Sequence, residues 1–367
     1  MKKIISVVGA RPNFIKIAPL HRALLPLSDR IEHKICHTGQ HFDENMSKIF
    51  FEELEIPEPD FNLGIHGGSH ATQVAGIMTA FEEVLLNERP DMVLVPGDVN
   101  STMAATLVAS KMGIPVGHIE SGLRSFDRTM PEEINRIVTD VLADLLFVSE
   151  PSGLKNLKHE GIPEEKIHFV GNIMIDSLVR FLPRIGKSRI LEELSTSRLK
   201  MKEGEYLLCT FHRPSNVDDA GWLRALLQML SRLPAPVIFP VHPRTRRNME
   251  QAGLLRNLPE NLLLTGPVGY IDFLALEKQA ALIITDSGGI QEESTFLGVP
   301  CITVRNNTER PVTVEVGTNY LVGTDLTKVE TTARKILDGE RKEGAIPELW
   351  DGHTAGRIAE ILVRTLL

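Results

Sequence analysis

Leu282-Ile283-Ile284-Thr285-Asp286-Ser287-Gly288-Gly289-Ile290-Gln291-Glu292-Glu293 decides the fold. Four apolar or β-branched residues predict a buried strand, Asp286 to Gly288 predict a turn, and a helical pattern runs from Gly289 to Leu297. The same punctuation recurs along the chain. Further strands are predicted at Ile4–Val8, Glu32–His37, Met92–Val95, Val116–Ile119, Leu145–Val148 and His168–Val170, then at Tyr206–Thr210, Val237–Val241, Asn261–Leu264 and Cys301–Val304. Helices are predicted between them, among them Lys16–Leu25, Thr72–Asn87, Ser101–Met112, Pro131–Ala143 and Gly221–Arg232. Near-continuous Val/Ile/Leu strands separated by helices imply parallel sheets covered on both faces. The fold class expected is α/β, with two doubly wound, Rossmann-like domains facing across a cleft. The run Asp176–Glu205 has no strand signal and reads as an interdomain helix and linker. The expected domains are residues 1–172, with a last helix at about 354–367 packing back on them, and residues 173–353.

Composition excludes several function classes. Of 367 residues, 42% are hydrophobic and 24% charged, which suits a soluble globular protein rather than a disordered or fibrous one. Forty Lys and Arg stand against 48 Asp and Glu, a net charge of -8. An acidic surface argues against nucleic acid or an anionic membrane as partner and leaves room only for a local basic pocket. Aromatics, at 5%, are too few for a stacking platform. No stretch approaches the roughly 18 apolar residues of a membrane span. The opening Met1-Lys2-Lys3-Ile4-Ile5-Ser6-Val7-Val8-Gly9 is too short an apolar run for a signal peptide and reads as the first strand. Cys36, Cys209 and Cys301 are scattered and form no CxxC, as buried free thiols of a reducing cytoplasm would be. The histidines lack the spacing of a zinc site such as HExxH, so no metal is expected.

In open parallel sheets, ligands sit beyond the carboxyl ends of the strands. The first strand ends in Gly9-Ala10-Arg11-Pro12-Asn13, with Lys16 one turn on. Arg11 and Lys16 thus lie near a helix N-terminus, where anions bind. Neither GxGxxG nor a Walker A sequence occurs, which weakens a nicotinamide or ATP reading. Asp98 ends Pro96-Gly97-Asp98, Glu120 lies in Gly117-His118-Ile119-Glu120-Ser121-Gly122, and Glu132 and Arg136 follow in Pro131-Glu132-Glu133-Ile134-Asn135-Arg136. Taken singly, Asp98 is a helix N-cap and Glu132–Arg136 a surface ion pair. Together they are acids gathered on one sheet edge, where mutual repulsion lifts a carboxyl toward the range useful for proton transfer. In the second half His212 and His242 each follow a strand, beside a Pro and near an Arg, an arrangement suited to an anionic ligand. Ser287, Gly288 and Gly289 offer a hydroxyl and backbone N–H groups at a helix start, a cradle for pyrophosphate. Glu293 lies one turn further, placed for the vicinal hydroxyls of a ribose. Arg310, from Arg305-Asn306-Asn307-Thr308-Glu309-Arg310-Pro311, comes toward the same phosphates.

Five stretches in order carry a resemblance: Thr38-Gly39-Gln40-His41, His118-Ile119-Glu120-Ser121-Gly122-Leu123-Arg124, Pro131-Glu132-Glu133 with Asn135-Arg136, Asp286 to Glu293, and Thr308-Glu309-Arg310-Pro311. Over essentially its whole length the chain resembles the non-hydrolysing UDP-N-acetylglucosamine 2-epimerases, relatives of the GT-B glycosyltransferases. The resemblance implies interconversion of UDP-GlcNAc and UDP-ManNAc without NAD or metal, by a cytoplasmic homodimer serving polysaccharide biosynthesis. By matching motif it implies catalytic roles for Asp98, Glu120, Glu132 and His212. It implies substrate-binding roles for Arg11, Lys16, Arg136, His242, Ser287, Glu293 and Arg310. Gln40 and His41 match an allosteric UDP-GlcNAc site of some members, although Gly64–Gly76 lacks the Arg that accompanies it. The chain departs from the common pattern at Gly9-Ala10-Arg11-Pro12-Asn13 and at His212-Arg213-Pro214-Ser215. The first departure looks like a branch that includes epimerases of UDP-diacetamido sugars and uronic acids. That substrate, and a GT-B glycosyltransferase, are the alternative readings.

Overall fold

Strand β1, Lys2–Val8, is buried over its last five residues. A strand covered on both faces has no solvent side on which to alternate, hence its continuous apolar run. The computed structural model describes residues 1–39, 55, 58–195 and 199–367, with only the backbone of Arg11; Gln40 and His41 lie outside the described residues. β1 pairs in parallel with β2 (Ile31–His37) and β4 (Met92–Pro96). β3 (Phe61–Asn62) flanks β2, while β5 (Val116–Ser121), β6 (Leu145–Val148) and β7 (Ile167–Phe169) extend the other edge. Among the described residues this makes a seven-stranded sheet in the order β3-β2-β1-β4-β5-β6-β7. The order reverses between β1 and β4, which is the topological switch point.

The second sheet repeats the plan. β8 (Leu207–Thr210), β9 (Val237–Pro240) and β10 (Leu262–Thr265) run one way from its centre. β11 (Leu282–Thr285), β12 (Cys301–Thr303) and β13 (Asn319–Leu321) run the other way, giving β10-β9-β8-β11-β12-β13 with its switch point between β8 and β11. Leu207 and Cys209 enter one core, with Phe239 and Ile284, while Leu208 enters the other, with Ile238 and Ile283. A period of two with both faces buried is what the apolar runs encode. The strands β3 and β13, of two and three residues, are too short to show any period and were not anticipated. The helix Arg11–Leu24 starts earlier than its apolar pattern because Pro12 fits the first turn. All three cysteines are free and buried, Cys36 in the core of the first sheet and Cys209 and Cys301 in those of the second, and burial pushes the Cys36 and Cys301 thiols up to about 12. They are packing groups, not nucleophiles. Among the described residues no helix is long and apolar enough to cross a membrane.

The chain forms two compact units, Met1–Arg180 with Glu348–Leu367, and Phe181–Pro347. The carboxy-terminal segment is fastened into the first. Trp350 is 1% exposed and donates its indole N–H to the Ser149 carbonyl at 3.0 Å. The Asp176 carboxylate accepts from the N–H groups of Thr354 and Ala355 at 3.1 and 2.7 Å, closing the start of the helix Thr354–Leu366. We expect Trp350→Ala to destabilise the first unit by about 3–5 kcal/mol, read as a lowered urea midpoint. An unchanged midpoint would mean that the segment is not part of the cooperative core.

Candidate active site

The first switch point gathers the acids of the amino-terminal unit. Asn13 fastens it. The Asn13 carboxamide accepts from the N–H groups of Gly9 and Ala10 at 3.1 and 3.0 Å and donates to the Pro96 carbonyl at 3.0 Å. A carboxylate at this position has no N–H for that last bond. Lys16 is 6% exposed, and its ammonium pairs with Glu120, itself 8% exposed. Glu120 has φ +72°, a left-handed conformation that costs a residue with a side chain about 1 kcal/mol. The register of β5 on β6 shifts at this residue, Ile119 facing Phe147 and Ser121 facing Val148. Such irregularities re-aim a side chain beside a site.

Asp98 follows β4, half-buried, and pairs with Arg136, which is 2% exposed. The helix Asn100–Lys111 takes Val99 as its N-cap, so Asp98 is not spent on capping. Asn135 donates to the Asp98 carbonyl at 2.8 Å and so brings the helix Pro131–Leu142 to the same turn. On that helix the surface ion pair that the Glu132–Arg136 spacing allows is not formed. Besides Asp98, Arg136 pairs with Glu133, 1% exposed, at 2.7 Å. Glu133 also accepts from the N–H groups of Ser125 and Phe126 at 2.9 and 2.8 Å. Burial opposes its charge, but those donors and Arg136 outweigh it and hold the carboxyl below its ordinary value. Glu132, one position earlier, is left exposed on the first turn. The cations Lys16 and Arg136 thus answer Glu120 and Asp98, where the sequence suggested acids facing one another.

The second switch point gathers the basic groups of the other unit. His212 follows β8, and its Nδ1 lies 3.0 Å from a carboxylate oxygen of Asp286, which is fully buried. The same carboxylate accepts from the N–H groups of His212 and Arg213 at 3.1 and 3.0 Å and from Asn216 at 3.1 Å. Burial works against the charge of Asp286, yet His212, the Arg213 N–H and Asn216 outweigh it and hold the carboxyl low. The exposed His212 ring therefore has its Nδ1 edge fixed and presents Nε2. His242 lies 6.1 Å away, ring centroid to centroid, and caps its own helix by accepting from the Arg244 N–H at 3.2 Å.

After β11, Ser287 is the N-cap of the helix Gly288–Leu297, and its hydroxyl takes no part in the cap. A Cβ on Gly288 would come 3.1 Å from an Arg310 nitrogen, so the guanidinium lies against the first turn. Arg310 is 9% exposed, with Nε 2.6 Å from buried Glu292. Thr308 accepts from the Arg310 N–H at 3.1 Å and donates to Gln291 at 2.7 Å. Burial opposes charge on Glu309, but Arg305, at 2.8 and 2.9 Å, outweighs it and holds the carboxyl far below the usual range. Glu293 accepts from the Tyr270 hydroxyl at 2.8 Å. A helix N-terminus, an adjoining guanidinium and a spare hydroxyl suit an anion of the size of a diphosphate. Among the described residues no group of His, Cys, Asp and Glu could hold a metal ion. The sequence reading missed Asn13, Glu133, Tyr270, and Asp286 as the holder of His212. The signal for Asn13, Glu133 and Asp286 was their place inside the quoted motifs, and Tyr270 had none.

The depressed Asp286 carboxyl has a consequence for acid stability. Its contribution is present above the unfolded value of about 3.9 and is lost as pH falls through the lower folded value. Wild type should therefore be more stable than Asp286→Asn by about 2 kcal/mol at pH 7, with the gap closing below about pH 4. Chemical denaturation at both pH values tests this, and a gap independent of pH would contradict it.

The family model described as UDP-N-acetylglucosamine 2-epimerase matches residues 25–363. Over 348 residues, 93% of both chains, the protein is 44% identical to a UDP-N-acetylglucosamine 2-epimerase of Methanococcus maripaludis. It is 41% identical, over 99% of both chains, to the UDP-2,3-diacetamido-2,3-dideoxy-D-glucuronate 2-epimerase of Pseudomonas aeruginosa. Among solved structures, that of Methanocaldococcus jannaschii UDP-GlcNAc 2-epimerase in complex with UDP-GlcNAc and UDP superposes with a TM-score of 0.89 at 42% identity, covering 99% of this chain and 100% of that one. Two doubly wound sheets, motif order and full-length identity agree, and the chain belongs to the UDP-N-acetylglucosamine 2-epimerase family.

Proposed function

We propose that this protein interconverts UDP-GlcNAc and its C2 epimer, UDP-ManNAc, by eliminating UDP to a glycal and adding it back. The observation that carries the reading is the Gly288 helix start with Arg310 against it, in a chain whose other switch point bears Asp98 and Glu120. The C2 hydrogen is not adjacent to a carbonyl, so no enolate can take up the electrons left by its removal. A leaving group on C1 can. A carboxylate takes the C2 proton, the C–H electron pair becomes the C1=C2 double bond, and the C1–O bond to the diphosphate breaks. Re-addition with protonation on the opposite face gives the epimer. The cycle consumes no oxidant or reductant. In this reading Asp98, Glu120 and Glu132 share the proton transfers, with His212 assisting. Ser287, Gly288, Gly289 and Arg310 meet the charge that grows on the departing diphosphate. Glu293, steadied by Tyr270, takes the ribose hydroxyls, while Arg11, Lys16, Arg136 and His242 complete the binding set.

A second reading shares every bond change and alters only the sugar. The Pseudomonas aeruginosa relative favours a UDP-diacetamido-uronic acid as substrate. We further propose a homodimer, as in the resemblance, working in a reducing cytoplasm, which the three free thiols support. Sedimentation equilibrium tests the dimer.

In heavy water the protein should convert UDP-GlcNAc to a mixture of C2 epimers, both deuterated at C2 by NMR. A protein that turns over only the diacetamido-uronic substrate would establish the second reading, and release of free sugar would point to hydrolysis. Glu120→Gln should lower kcat by about a thousandfold while UDP affinity stays within about threefold of wild type. Equal losses of rate and affinity would contradict the division of labour.

A further inference from the structure

The stretch His118–Arg124 gives the proposed chemistry one residue, Glu120, and leaves both of its ends unused. Both ends close on one carboxylate. His118 is fully buried, with Nδ1 2.6 Å from one oxygen of Asp140. Arg124, 3% exposed, reaches the other oxygen at 2.6 Å. Between them the Gly122 N–H donates to that same oxygen at 3.0 Å. Arg124 is itself held by Glu160 through bonds of 2.8 and 2.7 Å. Asp140 is fully buried near the end of the helix Pro131–Leu142, which also carries Glu132.

The far side of the imidazole completes the connection. His118 Nε2 lies 2.8 Å from the carbonyl of Gly97, the residue before Asp98. Each ring nitrogen of His118 thus faces an oxygen acceptor, the Asp140 carboxylate on one side and the Gly97 carbonyl on the other, in a short buried relay. One carboxylate thus connects all three acid-bearing segments: the Asp98 turn through His118, the Glu120 turn through Gly122, and the Glu132 helix through its own backbone. The turns it ties are those with unusual backbone, Glu120 at φ +72° and Gly122 at φ +80°. A left-handed residue with a side chain persists only where its surroundings over-determine it. The network lies at the carboxyl ends of β4 and β5, where the acids are, rather than at the amino ends, where sheet stability alone would serve as well.

We propose that Asp140, acting through His118 and Gly122, is a positioning residue that fixes the Asp98 and Glu120 carboxylates relative to each other for epimerisation. The inference rests on the reading of those acids given above. It does not touch substrate binding, which that reading assigns chiefly to other residues.

The test uses the full chain and UDP-GlcNAc. Asp140→Asn keeps the shape and removes the charge. We expect kcat to fall by about a hundredfold, with KM and calorimetric UDP affinity within about threefold of wild type and a cooperative melt retained. His118→Gln keeps an amide donor near the Nε2 position and should retain about tenfold more kcat than His118→Phe. Wild-type kcat in Asp140→Asn overturns the proposal, and so does a fall in kcat matched by equal loss of UDP affinity. Should Asp140→Asn not fold, the two His118 variants decide, and equal rates in them overturn it. A wild-type protein that leaves UDP-GlcNAc unchanged and undeuterated would overturn the underlying reading as well. An active wild type with an unimpaired Asp140→Asn fails this inference alone.

Discussion

A carboxylate buried at the end of a parallel strand needs a cation or several N–H donors, or it gives up its charge. The sites of both units are arranged around that constraint. Glu120 has Lys16, Asp98 has Arg136, Glu309 has Arg305, and Glu292 has Arg310. Asp286 relies on backbone and side-chain N–H groups together with the His212 ring. Glu277 shows the other outcome. It is fully buried, neither carboxylate oxygen has a hydrogen-bond partner among the described residues, and burial, with the charge of Glu293 added, pushes its carboxyl well up. It is an acid held in a core without a partner of opposite charge, whereas Glu120 and Asp98 at the first switch point each face a cation.

The two switch points solve the same geometric problem with different chemistry. In the amino-terminal unit a carboxamide, Asn13, joins the turn after β1 to the end of β4. In the other unit a carboxylate, Asp286, joins the turn after β11 to the turn after β8. Each central strand pair is thereby locked at the end where ligands bind in such sheets. The first unit then displays acids and the second a helix start with basic groups. That asymmetry is the one on which the proposed elimination is built.

Much of this was legible in the sequence because its physics is local. Largely apolar runs of four or five residues announce β1, β4, β6, β8, β9 and β11, since a strand buried on both faces leaves little room for polar positions. Glycine and serine before a helix announce the Ser287 turn. What the sequence hid was choice among neighbours. Glu132 and Glu133 are chemically identical, and only the facing loop, with the N–H groups of Ser125 and Phe126, selects Glu133 for the interior. Asp286 could have capped its own helix, and its work on His212 depends on β8 lying beside β11. His118 and Arg124 meet Asp140 across sixteen to twenty-two residues of chain, a closure that no spacing rule announces.

The chain leaves the first unit at Arg180 and returns to it only at Glu348. Trp350 and the helix Thr354–Leu366, both seated in that unit, are therefore made only after the inserted unit. On a ribosome the whole of Phe181–Pro347 emerges first, a delay of roughly 10–30 s at ordinary elongation rates. During that interval the nascent amino-terminal sheet lacks its indole plug, while the inserted unit already has every strand of its own. The order of maturation is thus the reverse of the order of translation.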